Sequence, residues 1–321
     1  MRDKKSQTIE PCKFPNLFLV GSGKCGTTTL YDYLSQHPDV FMSIPKEPAY
    51  FCKDFHKESD EFHKKQKFFF FRNKQDYLKL FSSAKTQKII GEASTLYFPS
   101  KVAAKNIFEF NPDAKIIILI REPVDLLYSV HGEYVLRFRE NINDFFKALA
   151  AERQRRNGEN IPKMVPTPSL LFYSDKVKFS SHIKRYLDLF DRKQVKILIY
   201  EEFRENNVKV FRDVLRFIGL DNHINIDLRS HRSARKIRSN LLIKLLSSSY
   251  ISQIPKKIIK GKNYFKLRSS FYKLIAKKEP RPQLPPKIRK ELMEKYKEEV
   301  EKTERLINKD LSKIWGYKNI N

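Results

Sequence analysis

The segment Phe18-Leu19-Val20-Gly21-Ser22-Gly23-Lys24-Cys25-Gly26-Thr27-Thr28-Thr29-Leu30 constrains the fold of this chain more than any other. An apolar run enters a glycine-rich stretch, and a helical pattern follows from Thr27 to Gln36. Glycines let successive backbone N–H groups turn toward one point, and a helix N-terminus adds partial positive charge there. Lys24 supplies a full charge, and the threonine hydroxyls add donors. A ligand-free tight turn explains the glycines, but neither the lysine nor the run of threonines. Ser22, Gly23, Lys24, Cys25, Gly26, Thr27 and Thr28 are therefore candidate phosphate-binding residues. Positive surroundings lower a thiol pKa, yet Cys25 reads as a small loop filler rather than a nucleophile.

The remaining pattern alternates strands and helices. Phe14 to Val20, Val40 to Ser43, Lys88 to Gly91, Lys115 to Ile120 and Val195 to Tyr200 read as strands. The run Lys115 to Ile120 is almost purely β-branched, as a strand buried on both faces requires. Helical spacing covers Ser100 to Phe110, Pro123 to about Arg139, and Val208 to Ile218, which stops at Gly219. Lys287 to Leu311 reads as a long helix with Ile288, Leu292, Tyr296, Val300 and Ile307 along one core-facing stripe. The alternation predicts an α/β fold: a P-loop-type central parallel β-sheet, helices on both faces, and a basic helical C-terminal extension. Residues 1–13 read as an N-terminal tail and 14–321 as one domain. Ligands of such folds sit at the carboxyl ends of the strands. Two strand ends stand out, Gly21 onward and Arg121 onward.

A Walker-type nucleoside triphosphate loop places its lysine after the last glycine and directly before Ser or Thr. Here Lys24 precedes Cys25-Gly26-Thr27. Walker enzymes also hold magnesium with an Asp at a neighbouring strand end, whereas Ile116 to Ile120 runs into Arg121. Arginine suits a second anionic group, so the pattern fits two phosphates and no metal.

The formal charge of +27 favours anionic partners: nucleotide, nucleic acid, acidic glycan or a membrane surface. The segment 228–278 contains fifteen Lys and Arg and no Asp or Glu, with apolar residues interleaved. It reads either as a solvated basic surface or as an anion- or membrane-facing flap. Three cysteines, Cys12, Cys25 and Cys52, form no disulfide framework. With a charged first segment, Met1 to Glu10, the expected setting is cytoplasmic, with peripheral contact at a membrane as the flap's second reading.

Gly21 to Leu30, with its Lys-x-Gly-Thr-Thr core, resembles the 5′-phosphosulfate loop of sulfotransferases that use 3′-phosphoadenosine 5′-phosphosulfate (PAPS). Ile116 to Arg137 is similar to their 3′-phosphate segment, with Arg121 and Ser129 at the positions that grip that phosphate. Pro45-Lys46-Glu47-Pro48-Ala49-Tyr50-Phe51 resembles the Lys-Glu-Pro-His-Phe-Phe segment of bacterial and heparan-type members. Gly91 to Tyr97 and Ile199 to Phe203 are similar to two further family segments, and His231 to Leu241 loosely resembles a late nucleotide-covering loop. Together the likeness runs from about Phe14 to Trp315.

The resemblance implies PAPS as donor, adenosine 3′,5′-bisphosphate (PAP) as product, and no metal. It implies that Lys24 stabilises the leaving oxygen, that Glu47 is the general base, and that Arg238, with Ser239, lies near the nucleotide. The family's His two residues after this Glu is Ala49 here. His37, His56 and His131 are candidates to compensate, although a histidine at such positions is more often an ordinary surface or packed one. Glu92 and Tyr97 read equally as acceptor contacts or as packing. The acceptor is a hydroxyl or amine, with a carbohydrate or glycolipid as the suggested carrier. Three other classes stay open: a metal-dependent P-loop kinase, a basic nucleic-acid-binding protein (which leaves Lys24, Arg121 and Ser129 unexplained, so no nucleic-acid partner is expected), and a donor-binding member without activity.

Overall fold

The computed structural model describes residues 14–222, 226–228 and 282–319, together with the backbone of 236–237 and 276–277. Five strands form its central sheet: β1 (Leu17–Leu19), β2 (Val40–Met42), β3 (Ile89–Ala93), β4 (Lys115–Ile120) and β5 (Val195–Ile199). Their order is β2-β3-β1-β4-β5, and every neighbouring pair is parallel. Four of the six residues of Lys115-Ile116-Ile117-Ile118-Leu119-Ile120 are isoleucine, and all but Lys115 are fully buried. That pattern belongs to a strand covered on both faces.

The chain lays β2 and β3 on one side of β1, then crosses to place β4 and β5 on the other. A crevice opens where such an order reverses, outside the strand ends. Beyond β1 the pairing continues: Val20 N donates to Ile117 O at 2.9 Å and Ser22 N to Leu119 O at 2.8 Å. Gly21 makes this approach possible. A Cβ there would meet Ile118 Cγ2 and the Leu119 backbone N at 2.9 Å, closer than real contacts come. The glycine loop is thereby drawn against the end of β4, beside Arg121.

Helices cover the sheet. Thr27–Leu34 follows β1, Ala103–Phe110 precedes β4, Pro123–Leu136 follows it, and Tyr200–Glu205 and Asn207–Ile218 follow β5. Residues at several boundaries differ from the sequence expectation by a few positions. Asn16, inside the expected first strand, bonds through its side chain to Ile90 N and Lys88 O. The helix expected from Ser100 begins at Ala103, because Ser100 Oγ accepts from Ala103 N and closes the turn from outside. Asn206 caps the helix ending at Gly219, whose φ of 78° stops it as expected.

The C-terminal helix is Pro286–Ile307. Leu292, Tyr296, Val300 and Ile307 are buried as the stripe predicted, Ile288 is half-buried, and Met293 and Thr303 complete the face. This helix packs on Phe179–Leu187, where Glu299 accepts from Ser180 N at 2.7 Å. One contiguous core runs from Leu17 to Tyr317. Among the described residues no helix is long and apolar enough to cross a membrane.

Candidate functional site

The glycine loop turns through left-handed backbone at Lys24 (φ 69°) and Gly26 (φ 85°). Gly26 combines that conformation with close packing, since a Cβ there would lie 3.2 Å from the Phe203 ring. It occupies the N-cap position of Thr27–Leu34, and no side chain caps this helix. The first N–H groups of the helix are consequently open to an anion.

Three cations converge on the loop. Lys24 is exposed, with its Nζ 3.3 Å from Glu133 Oε2 on the helix Pro123–Leu136. Burial pushes the Glu133 carboxyl up, but Lys24 and Arg137 outweigh it and hold the pKa at about 2. Lys46 donates to Thr28 Oγ1 at 3.1 Å and Thr27 Oγ1 at 3.3 Å, so its ammonium stands at the helix N-terminus. In the sequence Lys46 is marked only by its family segment. Its contact with the threonines spans some twenty residues of chain and has no local signature.

Arg121, the third cation, leaves the end of β4. Its guanidinium lies 4.6 Å over the Tyr200 ring, Nη1 donates to Lys24 O at 3.3 Å, and Asp125 is 3.8 Å from Nη2. Its Nε is buried and lacks a hydrogen-bond partner, a group that normally finds one. Glu122 turns away from Arg121. It caps the helix Pro123–Leu136 through Val124 N and Asp125 N, accepts from Tyr317, and pairs with Arg289. Of its two neighbouring carboxylates, Arg121 thus pairs with Asp125, while Glu122 is engaged elsewhere. Ser129 is half-buried on that same helix, two turns beyond Arg121.

Burial lifts the Cys25 thiol to about 12, overriding the positive charges of Arg121 and Lys24. The loop's electropositive character does not activate it, and its Sγ lies 3.7 Å from Gly23 O. Ser22 is buried, while Gly23 is partly exposed and lies next to Thr95. Arg238 and Ser239 lie outside the described residues, as do most of the basic segment and the N-terminal tail.

Glu47 sits between Lys46 and Thr95. Its Oε2 accepts from Thr95 N at 2.8 Å, Thr95 Oγ1 lies 3.1 Å from both carboxylate oxygens, and Lys46 Nζ is 3.5 Å from Oε1. It remains partly exposed, at 39% of the side chain. The segment around it is unusual: Glu47 (φ 65°) and Ala49 (φ 54°) both adopt left-handed backbone, which non-glycine residues do at a cost of order 1–3 kcal/mol.

Ala49 is buried, its N–H bonded to Ser94 Oγ at 3.0 Å and its carbonyl to His56 Nε2 at 2.6 Å. His56 thus secures the backbone of this segment from below. His131 is also buried and bonds Ile142 O, and His37 accepts from Asp39 N. All three are buried with partners inside the protein, the packed alternative to standing in for the missing family His.

Glu92 and Tyr97 form a second group, beneath the Glu47 segment. Glu92 is fully buried. Tyr77 and Tyr97 donate to its Oε1 at 2.6 and 2.9 Å, and Ser94 donates to Oε2 at 2.9 Å. Neither Glu92 nor Tyr97 is open to an acceptor molecule, and both face the underside of the Glu47 segment.

The site therefore presents three cations and an open helix N-terminus at the β1 and β4 ends, with the carboxylates of Glu47, Glu133 and Asp125 each beside one of the cations. An electropositive cradle of this kind holds phosphate-like groups and steadies charge developing on an oxygen. Residues 14–304 match the sulfotransferase domain model. Bifunctional heparan sulfate N-deacetylase/N-sulfotransferase 1 of Homo sapiens is 26% identical over 224 residues, covering 66% of this chain and 23% of the relative. Carbohydrate sulfotransferase 15 of Homo sapiens is 25% identical over 261 residues, covering 64% and 44%. This chain thus spans less than half the length of either curated relative. The solved sulfotransferase from Alicyclobacillus acidocaldarius superimposes with a TM-score of 0.69 at 27% identity, covering 94% of this chain and 99% of that one. Family model, parallel sheet and glycine loop agree: this chain belongs to the sulfotransferase domain family.

Proposed function

We propose that this chain transfers a sulfuryl group from PAPS, the donor its family uses, to a hydroxyl or amine of a carbohydrate acceptor, with PAP as product. The observation that carries the reading is the meeting of Lys24, Lys46 and Arg121 around one loop, with Glu47 3.5 Å from Lys46. Gly26, Thr27 and Thr28 would hold the 5′-phosphate through backbone donors, joined by Ser22, Gly23 and Cys25 of the same turn. Arg121 and Ser129 would take the 3′-phosphate; the unpartnered Arg121 Nε is a donor in want of an acceptor. Bound there, the donor supplies an activated sulfuryl group whose transfer resembles phosphoryl transfer, with a loose transition state and charge gathering on the leaving oxygen.

Lys24 and Lys46 would neutralise that charge, so the reading assigns the task to side chains rather than to a metal ion. Glu47 would take the acceptor's proton: its side chain is 39% exposed and lies 3.5 Å from Lys46. The carbohydrate acceptor is supported by the two curated relatives, whose names specify heparan sulfate and carbohydrate sulfotransfer.

Calorimetric titration with PAP, ADP and ATP, in chelator and then in magnesium, tests the donor site. Metal-independent preference for PAP is expected; preference for magnesium-ATP would overturn the reading in favour of a kinase. Transfer of labelled sulfate from PAPS to N-desulfated heparan sulfate and to unsulfated chondroitin tests the acceptor class.

A further inference from the structure

The carboxylate proposed as base is held through a chain of contacts that begins at Glu92. Glu92 touches neither Glu47 nor the glycine loop. Its three partners each make a second contact, two of them hydrogen bonds. Ser94 Oγ, which donates to Glu92, accepts from Ala49 N at 3.0 Å. Tyr97 OH, which donates to Glu92, accepts from Tyr50 N at 2.9 Å and lies 3.4 Å from Phe51 N. Tyr77, the third donor, stacks its ring on Tyr50 at 4.3 Å. Residues 49, 50 and 51 are thus gripped from beneath by groups that all converge on one carboxylate. Thr95, which fixes the Glu47 side chain, follows Ser94 directly in the chain.

Hydrogen-bond direction makes Glu92 decisive. An ionised carboxylate only accepts. With it in place, the Ser94 and Tyr97 hydroxyl hydrogens both point to Glu92, leaving their lone pairs to the backbone N–H groups of 49 and 50. An amide at this position presents a donor to one of these hydroxyls. The hydrogen of that hydroxyl then has no acceptor, and a buried donor is left unsatisfied. Two left-handed non-glycine residues, Glu47 and Ala49, need such over-determination to persist. Burial raises the Glu92 pKa to about 7 against the pull of its three donors. The charged form costs stability, which points to a role other than stability.

We propose that Glu92 is the positioning residue for Glu47: an interior acceptor-only group that sets the direction of the hydrogen bonds holding segment 47–51, and so the placement of the base beside the glycine loop. This rests on the reading of Glu47 as the base.

The test uses PAPS hydrolysis at pH 8, with water as the acceptor, so that no acceptor need be known. Three readouts accompany it: PAP affinity, thermal unfolding, and amide hydrogen exchange across 47–51. Glu92→Gln is expected to lower kcat at least tenfold, leave the KM for PAPS and the Kd for PAP within about twofold, and accelerate exchange at 49–51. Glu92→Asp, which keeps the acceptor-only character, is expected to recover part of kcat. Ser94→Ala severs one arm without altering the carboxylate, and is expected to give an intermediate kcat and faster exchange at Ala49; it carries the test if Glu92→Gln does not fold. Glu47→Gln is the reference. If Glu47→Gln lowers hydrolysis while folded Glu92→Gln and Ser94→Ala both match the wild type, the positioning role is overturned and the base assignment stands. If Glu47→Gln itself hydrolyses PAPS at the wild-type rate, the base assignment falls, and the positioning role falls with it.

Discussion

The Lys24 ammonium lies 3.3 Å from the Glu133 carboxylate, so the loop's principal cation has a carboxylate partner within the protein. Arg137 shares the same carboxylate. An incoming anion competes with Glu133 for Lys24 and meets its negative charge at close range.

Removing that charge should strengthen anion binding. At separations of roughly 6–8 Å in a partly aqueous site, one unit charge is worth about 1 kcal/mol. Glu133→Gln is therefore expected to tighten PAP binding by about three- to tenfold, with the gain shrinking as salt rises. Titration calorimetry at two ionic strengths measures it; unchanged affinity would mean that Lys24 does not meet the nucleotide.

Arg121→Ala removes a charge-assisted contact from the proposed 3′-phosphate subsite. PAP affinity is expected to fall by about 1.5–3 kcal/mol. Adenosine 5′-phosphate, which lacks the 3′ group, should be far less affected. Equal losses for both ligands would move Arg121 from phosphate recognition to shaping the loop through its bond to the Lys24 carbonyl.

Glu92 makes stability depend on pH in a direction opposite to most carboxylates. Its pKa rises from 4.5 unfolded to about 7 folded, chiefly through burial. The folded state thus binds the proton more tightly, and this group's contribution declines as pH rises from about 4.5 to 7, by roughly 3 kcal/mol in all. Ser94, Tyr77 and Tyr97 face it with hydroxyls, Glu47 adds like charge, and Cys52 and Tyr186 are the other titratable groups within its field. Glu92→Gln, which cannot ionise, should gain thermal stability relative to the wild type between pH 5 and pH 8. A constant difference across that range would show that Glu92 titrates normally.

Arg155 and Glu140 form an ion pair with both side chains fully buried, two bonds of 2.7 Å and a further bond from Tyr173 to Glu140. Breaking a pair of this kind leaves an uncompensated charge in the interior and costs about 3–5 kcal/mol. Arg155→Met is expected to lower the unfolding midpoint accordingly. PAP affinity of the folded protein should be retained, because neither residue touches the glycine loop.

Much of this protein is written in short stretches of its sequence. The run Lys115 to Ile120 needs no context to be a doubly covered strand, because alternating polarity is absent and β-branched residues fill it. Gly21 to Thr28 specifies its own turn, since left-handed backbone at Gly26 and tight packing at Gly21 leave little else that fits. Arg121, placed at the end of a strand, was legible for the same reason: strand ends in a parallel sheet point to the crevice. Local chemistry decided these features.

Other features exist only because the sheet brings distant segments together. Lys46 reaches Thr27 and Thr28, Glu133 reaches Lys24, and Thr95 reaches Glu47 across separations that no spacing rule covers. Burial also decides two positions where local charge is ambiguous. Cys25 lies among cations yet keeps its proton, in keeping with a loop filler, and Glu92 at its strand end faces inward, the packing alternative of its two readings. The sequence by itself determined where an anion can be held. Only the tertiary structure decided which charges face it and which are withdrawn from water, because desolvation and Coulomb interaction depend on distance in space rather than along the chain.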